Sequence, residues 1–378
     1  MAAEASRKRR RSADKGPPPM LSDELLSLDN EAGEGDAPEA VEELRRGRLS
    51  IHVGSKRDNP LDEASWDPET KAWEVVLPED ARAGVPGVSY GRLSEEELKR
   101  GIKARINAEP SRPNWLDFTP HPKLTSYRRP RMRRVNGKPI QPHYGVFGPD
   151  DRQVYYPSGY PWTCIGQIFV WEDFSNPNPQ WSGSGVLIGG RVVLTAGHMC
   201  PWGSNNWAMR FVPAYYDGAS TLGRGVASWV SDYQGFNIGH VSGWDMAVLR
   251  LYTPLGSMYG YFGAKVYNND WEDGNYWTLA GYPAAVAGGS RPSRQMWFPI
   301  VDDDASFFAD ELEYYADATA GDSGGPVFGF WSEGPYAVGT HSGGEKITFL
   351  WWTIEDDNAA AAGLALVNLV KWARSNWT

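Results

Sequence analysis

From about residue 150 to the end of the 378-residue chain, apolar positions recur in short alternating runs broken by turn residues. Ile165-Gly-Gln-Ile-Phe-Val-Trp171 alternates with the period of two expected of a half-buried strand, and Asn176-Pro-Asn-Pro179 after it reads as a hairpin-like break. Ser182 to Leu194 reads as two strands around Gly189 and Gly190. Further strands are predicted over Trp207 to Pro213, Gly225 to Ser231, Asp245 to Tyr252, Trp277 to Ala280, Gln295 to Val301, Pro326 to Phe330, Ala337 to His341 and Phe349 to Thr353. So many short strands with regular turns fit an all-β fold of two six-stranded antiparallel Greek-key barrels. One helix closes the chain: from Asn358 to Trp377, the side chains of Leu366, Leu369, Val370, Ala373 and Trp377 fall on one face at helical spacing.

Upstream the pattern changes. Residues 1 to about 48 read as disordered, with a basic tip at Arg7-Lys-Arg-Arg-Arg11, Pro17-Pro-Pro19 and an acidic stretch from Asp23 to Glu43. Two short helices are predicted inside it, at Ser22 to Leu28 and Pro38 to Arg46. A strand is expected at Lys71 to Leu77, and a helix from Ser94 to Arg105, where Ser94 can cap and Glu97 can close the capping box. A basic, proline-rich linker runs on from Pro120 to Arg134, and no acidic residue lies between Asp117 and Asp150. Such a segment is extended and open to proteolysis.

Composition divides the chain at the same place. Residues 1 to 146 hold 26 Lys and Arg against 24 Asp and Glu, whereas the remainder holds 11 against 23, so the net charge of −10 belongs to the C-terminal part. That part also holds 15 of the 18 tryptophans and 31 of the 42 glycines. The expected domains are therefore a charged N-terminal region, 1 to 146, which by position and analogy reads as pro-region and linker, and a folded β domain, 147 to 378. With no run of 18 apolar residues, no membrane span is expected. A secretory signal is not visible at the start either, and the basic run reads as a solvated tail rather than a nucleic-acid patch.

The candidate chemistry centres on Gly321-Asp-Ser-Gly-Gly-Pro326. A serine hydroxyl needs a base and a backbone that presents it, and glycines on both sides supply the backbone. Ser323 is the candidate nucleophile, with the N–H groups of Gly321 and Ser323 as candidate oxyanion donors. Taken alone these residues also fit a simple turn. Two other stretches bear on the choice: Val192-Val-Leu-Thr-Ala-Gly-His198, a strand running into a histidine, and Gly243-Trp-Asp245, which leads into alternating apolar residues. Of the six histidines, His52, His121 and His143 lie upstream of the β domain, which leaves His198, His240 and His341 as candidate bases.

Through these motifs, in the order His198, Asp245, Ser323, the chain resembles the chymotrypsin/trypsin family of serine proteases over about residues 148 to 378. Gly148-Pro-Asp-Asp-Arg152 followed by Tyr160-Pro-Trp-Thr-Cys-Ile-Gly166 resembles the opening of its glutamyl-endopeptidase-like branch. The resemblance implies a catalytic triad of His198, Asp245 and Ser323, protein or peptide substrates, no cofactor or metal, a monomer, and an extracellular location. An α/β-hydrolase reading of Gly-Asp-Ser-Gly-Gly fails, because those enzymes place the acid and histidine after the serine. The rival of another class is a protease-like binding module with a dead site.

For specificity the resemblance gives conflicting signs. His341 in Gly339-Thr-His341-Ser-Gly-Gly matches a motif that binds acidic side chains, whereas Asp317, six residues before Ser323, holds the position that binds Lys or Arg in trypsin-like relatives. Thr319 is placed with them on the substrate side, and the expectation leans to Glu or Asp. Asp322 matches the residue that, in trypsin-like relatives, pairs with a new N-terminal amine, so the chain is expected to be a zymogen cut between about Arg128 and Val146. Cys164 and Cys200 are either bridged or two free thiols. A bridge would close about 36 residues and stabilise by about 4 kcal/mol in a loop-entropy picture. Asp302-Asp-Asp304 lacks the spaced ligands of a calcium loop and reads as a solvated turn.

Overall fold

The computed structural model of the chain describes residues 16–55, 65–67, 72–77, 89–92, 107–127, 134–135, 138–139, 145–237, 241–306, 308–349 and 352–377. The helix expected from Ser94 to Arg105 and the candidate base His240 lie outside the described residues.

Strands Ala208–Pro213, Ile165–Trp171, Trp181–Gly189, Val192–Thr195, Ala247–Leu251 and Ser228–Gly235 hydrogen-bond in that order, and the last pairs again with the first. That second pairing, Arg210 against Trp229 and Phe211 against Ser228, closes a six-stranded barrel. Its interior is filled by the inward positions of the alternating runs, among them Ile168, Leu187, Val193, Phe211, Val230 and Leu249, all fully buried. At about 25 cal/mol per Å² of apolar surface, burial of such side chains is the main force holding the sheet closed.

The second half is a curled half-barrel, ordered Ile300–Ser306, Ala309–Tyr314, Trp352–Ala362, Gly334–Phe349, Pro326–Trp331, Trp277–Gly281, Ser293–Phe298 and Gln153–Val154. Trp271, Trp277 and Trp331 pack ring against ring at 5.5 to 6.3 Å. The architecture is the all-β one expected, with boundaries moved. The strand expected at Gly225 lies at Ser228–Gly235, and the one expected to end at Thr353 runs on to Ala362.

The closing helix accordingly spans Gly363–Asn376 and does not start at Asn358. Asn358 to Ala362 pair on both sides, with Tyr314 to Asp310 and with Gly344 to Gly339, and this ladder overrides the helix preference of the alanines. Asp302 to Asp304 lie in the strand Ile300–Ser306, not in a solvated turn. There burial pushes the Asp303 carboxyl up to about 6, and Asn269 donates to it at 2.5 Å.

Residues 16–48 depart from the disorder expected of them. The predicted helices form at Ser22–Leu26 and Glu39–Arg45, and Leu25, Ala40, Val41 and Leu44 are buried in the main core. The backbone N–H of Met20 donates to Phe330 O at 2.7 Å, Trp331 Nε1 donates to Pro17 O at 2.9 Å, and Glu31 pairs with Phe118. The strap continues through Ala108 and Ser111, bridged to Ala264 and Tyr261. Arg374 from the closing helix fastens it: its guanidinium donates to the carbonyls of Ile188, Glu109 and Phe262 at 2.5, 2.7 and 2.7 Å. Sequence composition hid this because the strap is anchored by a few apolar side chains in a polar background.

Candidate active site

The register of the first barrel brings two of the sequence-predicted residues together. Val192–Thr195 runs antiparallel to Ala247–Leu251 with Thr195 opposite Ala247, so the chain leaving one strand end meets the chain entering the other. Ala196-Gly-His198 therefore faces Asp245-Met246. Asp245, fully buried, accepts from the His198 backbone N–H at 2.8 Å and from His198 Nδ1 at 2.7 Å. Gly197 is required here, since a Cβ at that position would lie 2.4 Å from Phe236 O. Trp202 Nε1 donates to Gly197 O at 2.7 Å and steadies the same turn. With the Nδ1 proton held by a buried carboxylate, Nε2 carries the free lone pair, and the His198 side chain is 36% exposed.

Ser323 sits on the turn between Tyr314 and the strand Pro326–Trp331. Its carbonyl accepts from Ser184 N at 2.8 Å, and Ser184 O accepts from Thr195 Oγ1 at 2.9 Å, tying the serine turn to the strand that leads to His198. The space at Gly324 shows how close the two lie, because a Cβ there would stand 2.1 Å from Thr195 Oγ1 and 3.0 Å from Ala196 N. Among the described residues no hydrogen bond joins His198 to Ser323, a looseness common before substrate is bound.

Gly321 has φ +101°, which only glycine adopts without strain, and a Cβ on it would strike Tyr282 O at 2.4 Å. Ser184 Oγ donates to Gly321 O at 2.7 Å while accepting from Tyr282 N at 2.8 Å, so the peptide leading out of Gly321 is fixed in orientation. Among the described residues, the N–H groups of Gly321 and Ser323 have no protein acceptor. Two fixed, unpaired donors beside a serine can stabilise a developing negative charge.

The specificity candidates fall into different settings. Asp317 is committed to the backbone: its carboxylate accepts from the N–H groups of Phe147 and Asp151 at 2.8 and 2.7 Å. Burial pushes this carboxyl upward. Thr319 Oγ1 accepts from Arg152 at 2.9 Å, a supporting contact. His341 is buried, its Nδ1 lies 2.7 Å from Tyr314 Oη, and its backbone exchanges hydrogen bonds with the serine turn through Gly324 N and Gly325 O. Burial, with His198 nearby, lowers its pKa to about 3, so the ring is neutral at ordinary pH. When Tyr314 donates to Nδ1, Nε2 bears the proton and is a donor.

The structure also places the two cysteines and Asp322. Cys164 and Cys200 are free and buried, not bridged. Cys164 Sγ lies 3.6 Å from Tyr259 O, whereas Cys200 follows the His198 turn near Asp245, and burial holds both thiols well above their ordinary value. In the uncut chain Asp322 already has partners. Its carboxylate accepts from Thr319 N at 2.9 Å and from Arg152 Nη1 at 3.3 Å. Burial, opposed by Arg152, leaves its pKa at about 6.

Sequence reasoning missed Ser342, whose Oγ donates to Asp245 Oδ2 at 2.5 Å, and Tyr314, Ser184 and Arg152. Ser342 adjoins a residue already singled out, and Arg152 lies in the segment that carried the branch resemblance. Tyr314 and Ser184 had no local signal.

The family model described as Trypsin matches residues 164–348. Among solved structures, the chain is similar to a Glu endopeptidase in complex with MPD, at 21% identity over 61% of this chain and 99% of that one, with a TM-score of 0.47. It is also similar to the protease Anisep from Arthrobacter nicotinovorans, at 19% identity over 59% and 99% of the two chains, TM-score 0.40. A thermostable serine protease, AL20, from an extremophilic microorganism matches at 20% identity over 56% and 97%, TM-score 0.40. No curated protein matches the chain. Over residues 164–348, just under half of its length, the chain is therefore similar to the trypsin family of serine proteases.

Proposed function

We propose that this chain is a serine endopeptidase that hydrolyses peptide bonds through His198, Asp245 and Ser323, with a preference for a Glu or Asp side chain on the acyl side. The observation that carries the reading is the buried Asp245 carboxylate gripping both His198 Nδ1 and its backbone N–H, on a turn packed against a serine flanked by two unpaired amide donors.

Ser323 Oγ attacks the scissile carbonyl carbon as His198 Nε2 takes its proton, and Asp245 stabilises the imidazolium that forms. The carbonyl oxygen becomes an oxyanion held by the N–H groups of Gly321 and Ser323. The imidazolium then gives its proton to the departing amine as the C–N bond breaks, leaving an acyl-enzyme. Water, deprotonated by the same imidazole, releases the acid and restores Ser323.

Neutral His341 supports the acidic preference, because Nε2–H can donate to a carboxylate without an ionised partner of its own. Asp317 does not compete, since its carboxylate is taken by the backbone of Phe147 and Asp151. Trimming between Arg128 and Val146 would act upstream of Phe147, near Gly145, whose carbonyl accepts from Ala318 N at 2.7 Å. Chromogenic peptides differing only in the residue before the cut test the reading. Turnover at least about tenfold faster for Glu than for Arg is expected, equivalent to about 1.4 kcal/mol in transition-state binding. Faster cleavage after Arg contradicts the specificity, and turnover undiminished by Ser323→Ala contradicts the mechanism.

A further inference from the structure

Asp322 precedes the candidate nucleophile and is 2% exposed, so its carboxylate must find charge or hydrogen bonds inside the protein. It closes the serine turn on itself: Thr319 N donates to Oδ2 at 2.9 Å, Asp322 N donates to Thr319 O at 3.0 Å, and Gly325 N donates to Asp322 O at 2.8 Å. If this carboxylate moved, the peptides on either side of it, which carry the Gly321 and Ser323 donors, would move with it.

Resting on the serine-protease reading of the site, we infer that Arg152 is a positioning residue for the hydrolysis proposed above. Its guanidinium supplies the cation that holds Asp322 and so fixes the Gly321 to Ser323 turn in the uncut chain. Arg152 comes from the segment that crosses the half-barrel just before Gln153–Val154 pairs with Ser293–Phe298. Its guanidinium is itself anchored, with Nε and Nη2 donating in a fork to both oxygens of Asp150 at 3.0 and 2.9 Å. Nη1 is thereby aimed at Thr319 Oγ1 at 2.9 Å and Asp322 Oδ2 at 3.3 Å. The contact with Asp322 is longer than the fork to Asp150, so it acts through charge and through Thr319 as well as by direct hydrogen bonding.

The uncut chain already supplies the partners of Asp322. A new amine at Val146 would emerge where Gly145 now lies, next to Ala318 and Asn358. Asn358 Nδ2 donates to Gly145 O at 2.9 Å, and a Cβ on Gly145 would stand 2.5 Å from Asn358 Oδ1. The Asp322 carboxylate is already engaged by Arg152 and Thr319. On this inference, cleavage upstream leaves the cation at Asp322 unchanged.

The test uses the full-length chain, its intact mass checked before and after, with a fluorophosphonate probe and a chromogenic Glu peptide. Labelling of the uncut 41.9 kDa chain at the rate of the trimmed chain is expected. Arg152→Gln should lower kcat about 100-fold, the cost of disturbing an oxyanion donor, with KM changed less than about threefold. Arg152→Lys, which restores a charge without the fork, should recover at least about tenfold of that loss, and Arg152→Gln combined with Asp322→Asn should be no worse than Arg152→Gln alone. Thermal melting identifies an unfolded variant, in which case the Lys variant and the labelling of the uncut wild type decide. An inert uncut chain beside a reactive trimmed one overturns the inference, as does Arg152→Gln with kcat near wild type, or Lys no better than Gln. If neither form is labelled, the protease reading falls and this inference falls with it.

Discussion

Replacing Asp245 by Asn keeps the shape of the side chain and removes one acceptor, and the contacts of the carboxylate decide the consequence. Oδ2 accepts from His198 Nδ1 and Ser342 Oγ, while Oδ1 accepts from the His198 backbone. An amide nitrogen at the Oδ1 place would oppose the fixed backbone N–H of His198. It therefore settles at the Oδ2 place, where the Ser342 hydroxyl can rotate away and the imidazole must shift its proton to Nε2. That tautomer cannot take a proton from Ser323. Loss of a charged hydrogen bond to the imidazolium removes about 3 kcal/mol, and the wrong tautomer brings the total to about 5 kcal/mol, or ~10⁴-fold in kcat. Because Asp245 is fully buried, KM should change little. Initial rates on the preferred chromogenic peptide at pH 7, with melting curves to show an intact fold, measure this. A folded Asp245→Asn enzyme retaining more than about a tenth of wild-type kcat would refute the role given to the carboxylate.

Three further outcomes are expected. Tyr314→Phe removes the hydroxyl 2.7 Å from His341 Nδ1; at about 1 kcal/mol for a neutral hydrogen bond, KM for acidic peptides should rise about fivefold with kcat nearly unchanged, and an unmoved KM contradicts the assignment. His341 has its pKa lowered to about 3 by burial, so the unfolded chain takes up a proton that the folded one refuses. Its stabilising contribution is present above about pH 6.5 and is lost as pH falls toward 3, by about 4 kcal/mol in all; urea titrations should show His341→Gln losing less stability than wild type across that window, and parallel losses contradict it. Leu25→Ala, in the N-terminal strap, should cost about 2–5 kcal/mol because Leu25 is fully buried; a cost below about 0.5 kcal/mol in the same titration would show the strap to be independent of the core.

The strands of the first barrel were legible because short apolar runs bounded by turn residues coincide there with burial, on both faces of most of their length. Ile165 to Trp171 and Val192 to Thr195 read the same way in sequence and in space. The stretch Asn358 to Ala362 was not, since alanines favour helices and only two neighbouring strands make them extended. In the site, His198, Asp245 and Ser323 were visible through the turns that carry them, Gly197 and Gly321 included. Their partners were not: Ser342 against Asp245, Tyr314 against His341 and Arg152 against Asp322 are separated by 97, 27 and 170 positions and meet only through folding. What Asp317 contacts was likewise visible only in space, where its carboxylate accepts from the backbone amides of Phe147 and Asp151. Composition misled most in the strap, where charge density concealed Leu25, Val41 and Leu44.

If Ser323 is activated by His198 within this fold, the hydroxyl should react with a fluorophosphonate, and peptide mapping of the treated chain reads out where and how fast. A single phosphonyl adduct is expected on Ser323, absent from Ser323→Ala and at least about 10³-fold slower to form in His198→Ala. An adduct on another residue, or one that forms on Ser323 at the same rate without His198, would overturn the proposed chemistry.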